Sequence, residues 1–141
     1  MTSKPAVSCS VVLASKTSAI EGCCDSILSK LKSSDFSQDD IFAVHLALQE
    51  AFINALKHGN KMDPRKQIKV DYSVNAKKIE VFLTDEGDGF NPASIADPRC
   101  GENLYKSYGR GLFLIRSYMD VVEFSRRGNS VHMVKYKKQG Q

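Results

Sequence analysis

Glu50 and Asn54 lie four residues apart, so on a helix both side chains leave the same face. Both offer hard oxygen donors, which suit magnesium beside a phosphate. The carboxylate could instead take a proton from an attacking hydroxyl or water. Alone, such a pair is more commonly a solvated polar face. A second constellation is Asp85-Glu86-Gly87-Asp88-Gly89-Phe90. An Asp at a strand end can accept a hydrogen bond from an exocyclic amine such as that of adenine, and neighbouring glycines let the backbone approach a flat ring. The same residues would also make a tight acidic turn. A third is Gly109-Arg110-Gly111, which opens an apolar run beginning at Leu112. Glycines before a helix N-terminus expose N–H groups to an anion. Arg110 adds a charge that phosphate can meet; the competing interpretation is a plain loop-to-helix junction.

The elements that must carry these groups are legible in the hydrophobic pattern. Residues 5–14 read as a strand and 17–32 as a helix, with Ile20, Cys24, Ile27, Leu28 and Leu31 at helical spacing. Ser37 can cap the next helix, and Asp39 and Asp40 suit its positive end. On that helix Ile41, Val44, Leu48, Ala51, Phe52 and Ala55 share one side, while Glu50, Asn54, Lys57 and His58 lie opposite. Gly59 and Asn60 can stop it. Residues 66–74 and 79–84 form a hairpin across 75–78. Residues 85–109 are rich in Gly, Pro, Asp and Asn, with little periodicity, and such a stretch in a compact domain signals a lid or disorder. A short helix near 110–118 and strands near 120–126 and 130–136, turned at Gly128-Asn129, complete the chain. This order predicts an α+β fold, a two-layer sandwich with helices on one face of a mixed, mostly antiparallel sheet.

The totals narrow the class. One domain, 1–141, fits the length of 141 residues. The formal charge of +4 is mild and partly reflects Lys135, Lys137 and Lys138, so direct nucleic-acid binding is not expected. No apolar run approaches the roughly 20 residues needed to cross a bilayer, and the first residues lack a signal-peptide core. A cytoplasmic protein without a membrane partner is expected. Cys9, Cys23, Cys24 and Cys100 form no C-x-x-C pair and read as reduced, partly buried thiols. A P-loop, the H-R-D and D-F-G kinase set and a Rossmann fingerprint are all missing.

Together, the motifs resemble those of the Bergerat-fold, histidine kinase-like ATPases. Residues 50–60 resemble the N box, 85–90 the first glycine box and 109–115 the second. Gly128-Asn129-Ser130-Val131 stands where the superfamily has a Gly-Thr-Thr turn, and Ser130 can supply the hydroxyl that helps hold adenine. Within the superfamily the chain looks most like the bacterial anti-sigma factor serine kinases. It leaves no room for a phospho-accepting helical hairpin, its lid is short, and Phe113 replaces the glycine usual in histidine kinases.

The resemblance implies ATP and Mg2+ as cofactors, with Asn54 as the metal ligand. It implies Glu50 as the base that activates a partner's hydroxyl, and Asp85 as the acceptor of the adenine amine with Gly89 beside it. Gly109, Arg110 and Gly111 would hold phosphates, and Lys57, His58, Gly87, Phe90, Leu112 and Ser130 would complete the nucleotide site. It further implies a serine/threonine-protein kinase with two protein partners, a sigma factor and a STAS-domain anti-sigma factor antagonist, and a homodimer. A module that sequesters a partner without phosphoryl transfer, or a detached histidine-kinase domain, are the alternatives.

Overall fold

The computed structural model describes residues 7–61, 63–87, 115–125 and 129–138. Strand β1 spans Val7–Ala14, β2 Gln67–Val74, β3 Lys78–Asp85, β4 Val121–Phe124 and β5 Ser130–Tyr136. They form one sheet in the order β1-β2-β3-β5-β4, and every described pairing is antiparallel. Helices α1, Thr17–Ser33, and α2, Gln38–Ile53, connect β1 to β2. Residues 115–118 are also helical.

Alternation dictates which face the helices cover. On β2 the residues Ile68, Val70, Tyr72 and Val74 are buried, and on β3 Ile79, Val81 and Leu83 are. Their pairing register (Val70 opposite Leu83, Tyr72 opposite Val81) keeps these side chains on one face. Against it pack Ile27 and Leu31 of α1 and Val44, Leu48 and Phe52 of α2, all essentially inaccessible. Burying each such side chain contributes about 1.5–3 kcal/mol.

The boundaries have local causes. The Ser37 hydroxyl accepts the Asp40 N–H at 3.1 Å and caps α2. Asp35, with φ of 64°, takes the left-handed conformation that turns the chain out of α1. The Asn75 carboxamide oxygen accepts the N–H groups of Lys77 and Lys78, an Asx turn that reverses β2 into β3. Cys9, Cys23 and Cys24 are free thiols, and burial pushes that of Cys24 up to about 12. Such a thiol stays protonated and inert.

Candidate functional site

Glu50 and Asn54 stand one α-turn apart: the Asn54 N–H donates to the Glu50 carbonyl, and both residues are half-buried. From Asn54 the helix widens into a π turn, Asn54–Gly59. The Asn60 N–H closes it on the Ala55 carbonyl at 2.7 Å. Ala55 and Leu56 are both buried, three and four residues after buried Phe52. Lys57 is exposed on the outer side of the π turn, and the side chain of His58 is not among those described.

The π turn delivers Gly59 and Asn60 to the end of β3. A Cβ on Gly59 would lie 2.3 Å from the Asp85 carboxyl carbon. A Cβ on Gly87 would lie 2.1 Å from the Gly59 carbonyl oxygen. Helix end, carboxylate and following turn therefore interlock, and only glycine fits at both points. Asp85 is 9% exposed, and its Oδ1 accepts the Gly87 N–H at 2.7 Å. Burial pushes its carboxyl above the ordinary value of 3.8, while the Gly87 hydrogen bond and Lys66 pull it back down.

Asn60 fixes this interlock from behind. It is fully buried. Its Nδ2 donates to the Ser15 hydroxyl at 2.7 Å and to the Gln67 carbonyl at 3.0 Å, and its Oδ1 accepts the Glu86 N–H at 2.8 Å. One side chain thus joins the end of β1, the start of β2 and the turn after Asp85. Asn60 reads from sequence only as a helix stop. An Asn after Gly has no local mark that tells an inward-turned side chain from an outward one.

Ser130 reaches the same end of the sheet from 45 residues further along the chain. It pairs with Thr84, and the two hydroxyls are 3.0 Å apart. Next to them, the Asp85 N–H donates to the Asn129 carbonyl at 2.9 Å, and the Asn129 carboxamide donates back to the Asp85 carbonyl. The structure therefore brings Gly59, Asp85 and Gly87 together, with Glu50 and Asn54 on the helical run that ends against them. Ser130, expected at the ring, reaches the same strand end but on the other face of the sheet, because it pairs with Thr84 rather than with Asp85. Gly89, Phe90, Gly109, Arg110, Gly111 and Leu112 lie outside the described residues.

A buried carboxylate beside a glycine-lined backbone suits a flat ring bearing an amine, which can donate to the acid. The Thr84 and Ser130 hydroxyls lie one residue out of phase with Asp85, on the other face of the sheet. No cluster of three or more metal-ligating acids, histidines or cysteines occurs among the described residues. The amide oxygen of Asn54 is a donor type that suits a magnesium ion taking its other ligands from phosphate and water, and leaves the Glu50 carboxylate free for a proton.

Comparison with known proteins agrees with this geometry. The family model described as "Histidine kinase-like ATPase domain" matches residues 13–135. The chain is 34% identical over 108 residues to the serine-protein kinase RsbW of Listeria innocua serovar 6a, covering 72% of this chain and 69% of that protein. It is 33% identical over 111 residues to RsbW of Staphylococcus aureus strain MSSA476, covering 73% and 70%. To RsbW of Bacillus licheniformis it is 31% identical over 111 residues, covering 72% and 68%.

Proposed function

Because the chain belongs to the histidine kinase-like ATPase family, we propose that it is a magnesium-dependent, ATP-using serine/threonine-protein kinase that acts as an anti-sigma factor. It phosphorylates a STAS-domain anti-sigma factor antagonist and, in the alternative state of the switch, holds a sigma factor. It works in the cytoplasm as a homodimer, without direct contact to nucleic acid or membrane. No described helix is long and apolar enough to cross a bilayer. The single observation that carries the proposal is the Gly59–Asp85–Gly87 interlock at the end of β3. The relatives named serine-protein kinase support transfer to a hydroxyl.

Each residue has a defined task. Asp85 accepts the adenine amine, and its partial burial excludes water that would compete for that bond. Ser130 steadies the same strand end through its hydroxyl contact with Thr84. Glu50 takes the proton of the attacking serine or threonine hydroxyl. Asn54, one turn away, offers its amide oxygen to the metal. Lys57, His58, Phe90 and Gly89 border the nucleotide, and Gly109, Arg110, Gly111 and Leu112 hold its phosphates. Bound ATP supplies the γ-phosphoryl group, and with Mg2+ the charge neutralisation that transfer requires.

The test is to incubate the chain with γ-labelled ATP, magnesium and the STAS-domain protein encoded nearest its gene. Acid-stable phosphoserine or phosphothreonine is expected. Glu50→Gln should slow transfer by about 10²- to 10⁴-fold while binding ATP normally. Acid-labile label would indicate a histidine kinase instead. ATP-dependent capture of the partner with the nucleotide intact would leave only sequestration.

A further inference from the structure

Helix α2 has apolar surface that its own packing does not use. Val44, Leu48 and Phe52 are buried in the core. A second stripe, Phe42, His45, Gln49 and Ile53, follows the same helix at spacings of three and four. Its two apolar ends, Phe42 and Ile53, are 61% and 41% exposed. Such residues on a solvated stripe mark a contact surface when a groove adjoins them.

A groove does adjoin Ile53, with His45 and Gln49 of the same stripe on its wall. An open cavity of about 430 Å³ runs between this stripe and the first half of α1. Its floor is apolar, formed by Ile20, Cys24, Phe52 and Leu56. Its α1 wall carries Glu21 and Asp25, exposed and one turn apart, and neither pairs with a base among the described residues. Its α2 wall runs from His45 through Ile53 to Lys57. Ile53 and Lys57 flank Asn54 in sequence, so whatever fills the groove lies beside the helix that carries Glu50 and Asn54.

We propose that this groove docks an amphipathic helix of a protein partner, with an apolar stripe on Ile53 and the accessible edge of Ile20 and two basic residues one turn apart facing Glu21 and Asp25. The charge pattern selects the occupant. Among the described helices a second copy of this chain does not supply it: α1 has Lys30 and Lys32, two apart, α2 has no Lys or Arg, the π turn has Lys57 alone and residues 115–118 have Arg116 alone. The inference deepens the proposed kinase function, and rests on it only in making the partner a protein of the phosphorylation switch.

The probe is a fluorescein-labelled helical peptide of roughly fourteen residues, about 21 Å long. It carries a leucine stripe flanked on one side by lysines one turn apart. A second peptide carries glutamates at those positions. The lysine peptide should bind the full chain about tenfold more tightly than the glutamate peptide. Ile53→Glu, at an exposed position, should abolish binding. The double variant Glu21→Lys/Asp25→Lys should reverse the preference between the peptides. Every protein is also titrated with Mg-ATP, whose affinity should not change. A wild-type chain that binds the lysine peptide but no nucleotide would support the groove and sink the kinase reading. A chain that binds nucleotide but treats the peptides alike, or ignores Ile53→Glu, would overturn the groove. Self-association that Ile53→Glu removes, with no peptide bound, would assign the surface to a second copy and also overturn it.

Discussion

Gly59→Ala tests the interlock at its tightest point. The new Cβ would lie 2.3 Å from Cγ and Oδ2 of Asp85 and 2.5 Å from Oδ1. Ordinary carbon contacts need about 3.5 Å or more, so something must move by roughly 1 Å. The π turn cannot easily retreat, because the next residue, Asn60, is held by three side-chain hydrogen bonds. Asp85 must therefore shift, and its 2.7 Å bond to the Gly87 N–H goes with it. Overpacking of this kind costs about 1–3 kcal/mol. A displaced carboxylate would also forfeit the bond to the adenine amine proposed above, and hydrogen bonds to charged groups contribute about 1.5–3 kcal/mol. The Kd for ATP should rise roughly 10- to 150-fold. Calorimetric titration and a thermal melt measure both effects, the melt falling about 3–4 °C for each kcal/mol lost. Gly22→Ala is the matched control. Gly22 is exposed within α1 and has nothing within 4 Å of an added Cβ. That change should leave ATP binding alone and stabilise the fold by about 0.5–1 kcal/mol. Wild-type melting and wild-type ATP affinity in Gly59→Ala would refute the reasoning.

Other outcomes follow from the same contacts. Asn60→Ala removes three hydrogen bonds and strands the Glu86 N–H, so denaturant titration should show a loss of about 2–4 kcal/mol. Asn60→Asp should not restore it, because a carboxylate cannot donate to the Gln67 carbonyl. The pH dependence has a definite sign. Burial holds the Asp85 carboxyl above 3.8, so its ionised form weakens the fold at neutral pH and protonation relieves that cost as pH falls. ATP binding needs the ionised form and runs the other way. Affinity should fall as pH drops through a midpoint above 3.8, and titrations across that range should show no such transition in Asp85→Asn. Glu80 has the opposite shift. Lys78 and then His132 hold its carboxyl below the usual range, so the stability it contributes above pH 4.5 should be lost in stronger acid. A pH-dependent melt of Glu80→Gln should lack that component.

Much of the architecture was legible because it depends on near neighbours. Alternation marked Ile68, Val70 and Tyr72 as one face of β2, and the 3.6-residue period marked Val44, Leu48 and Phe52 as one face of α2. Ser37 was recognisable as a cap and caps the helix it precedes. The order β1-β2-β3-β5-β4 was not legible, since pairing between Val11 and Val70 across two helices leaves no local trace. The π turn was hidden for a related reason. Asn60, just after it, is held inward by Ser15 and Glu86, both distant in sequence, as well as by Gln67. At the site, Asp85 and Gly87 stood out by residue type. The steric need for Gly59 did not, because the group it must clear belongs to a strand 26 residues away.

Competition between ATP and purine riboside triphosphate measures the adenine contact most directly. The two nucleotides share sugar, phosphates and the N1 acceptor and differ at the purine 6-position, where one has an amine and the other only a hydrogen. An ionised Asp85 accepts from the amine and finds no such donor on the second, so ATP should bind about tenfold more tightly. Equal affinity for both, with Asp85 ionised at neutral pH, would show that the carboxylate at the end of β3 does not read the base.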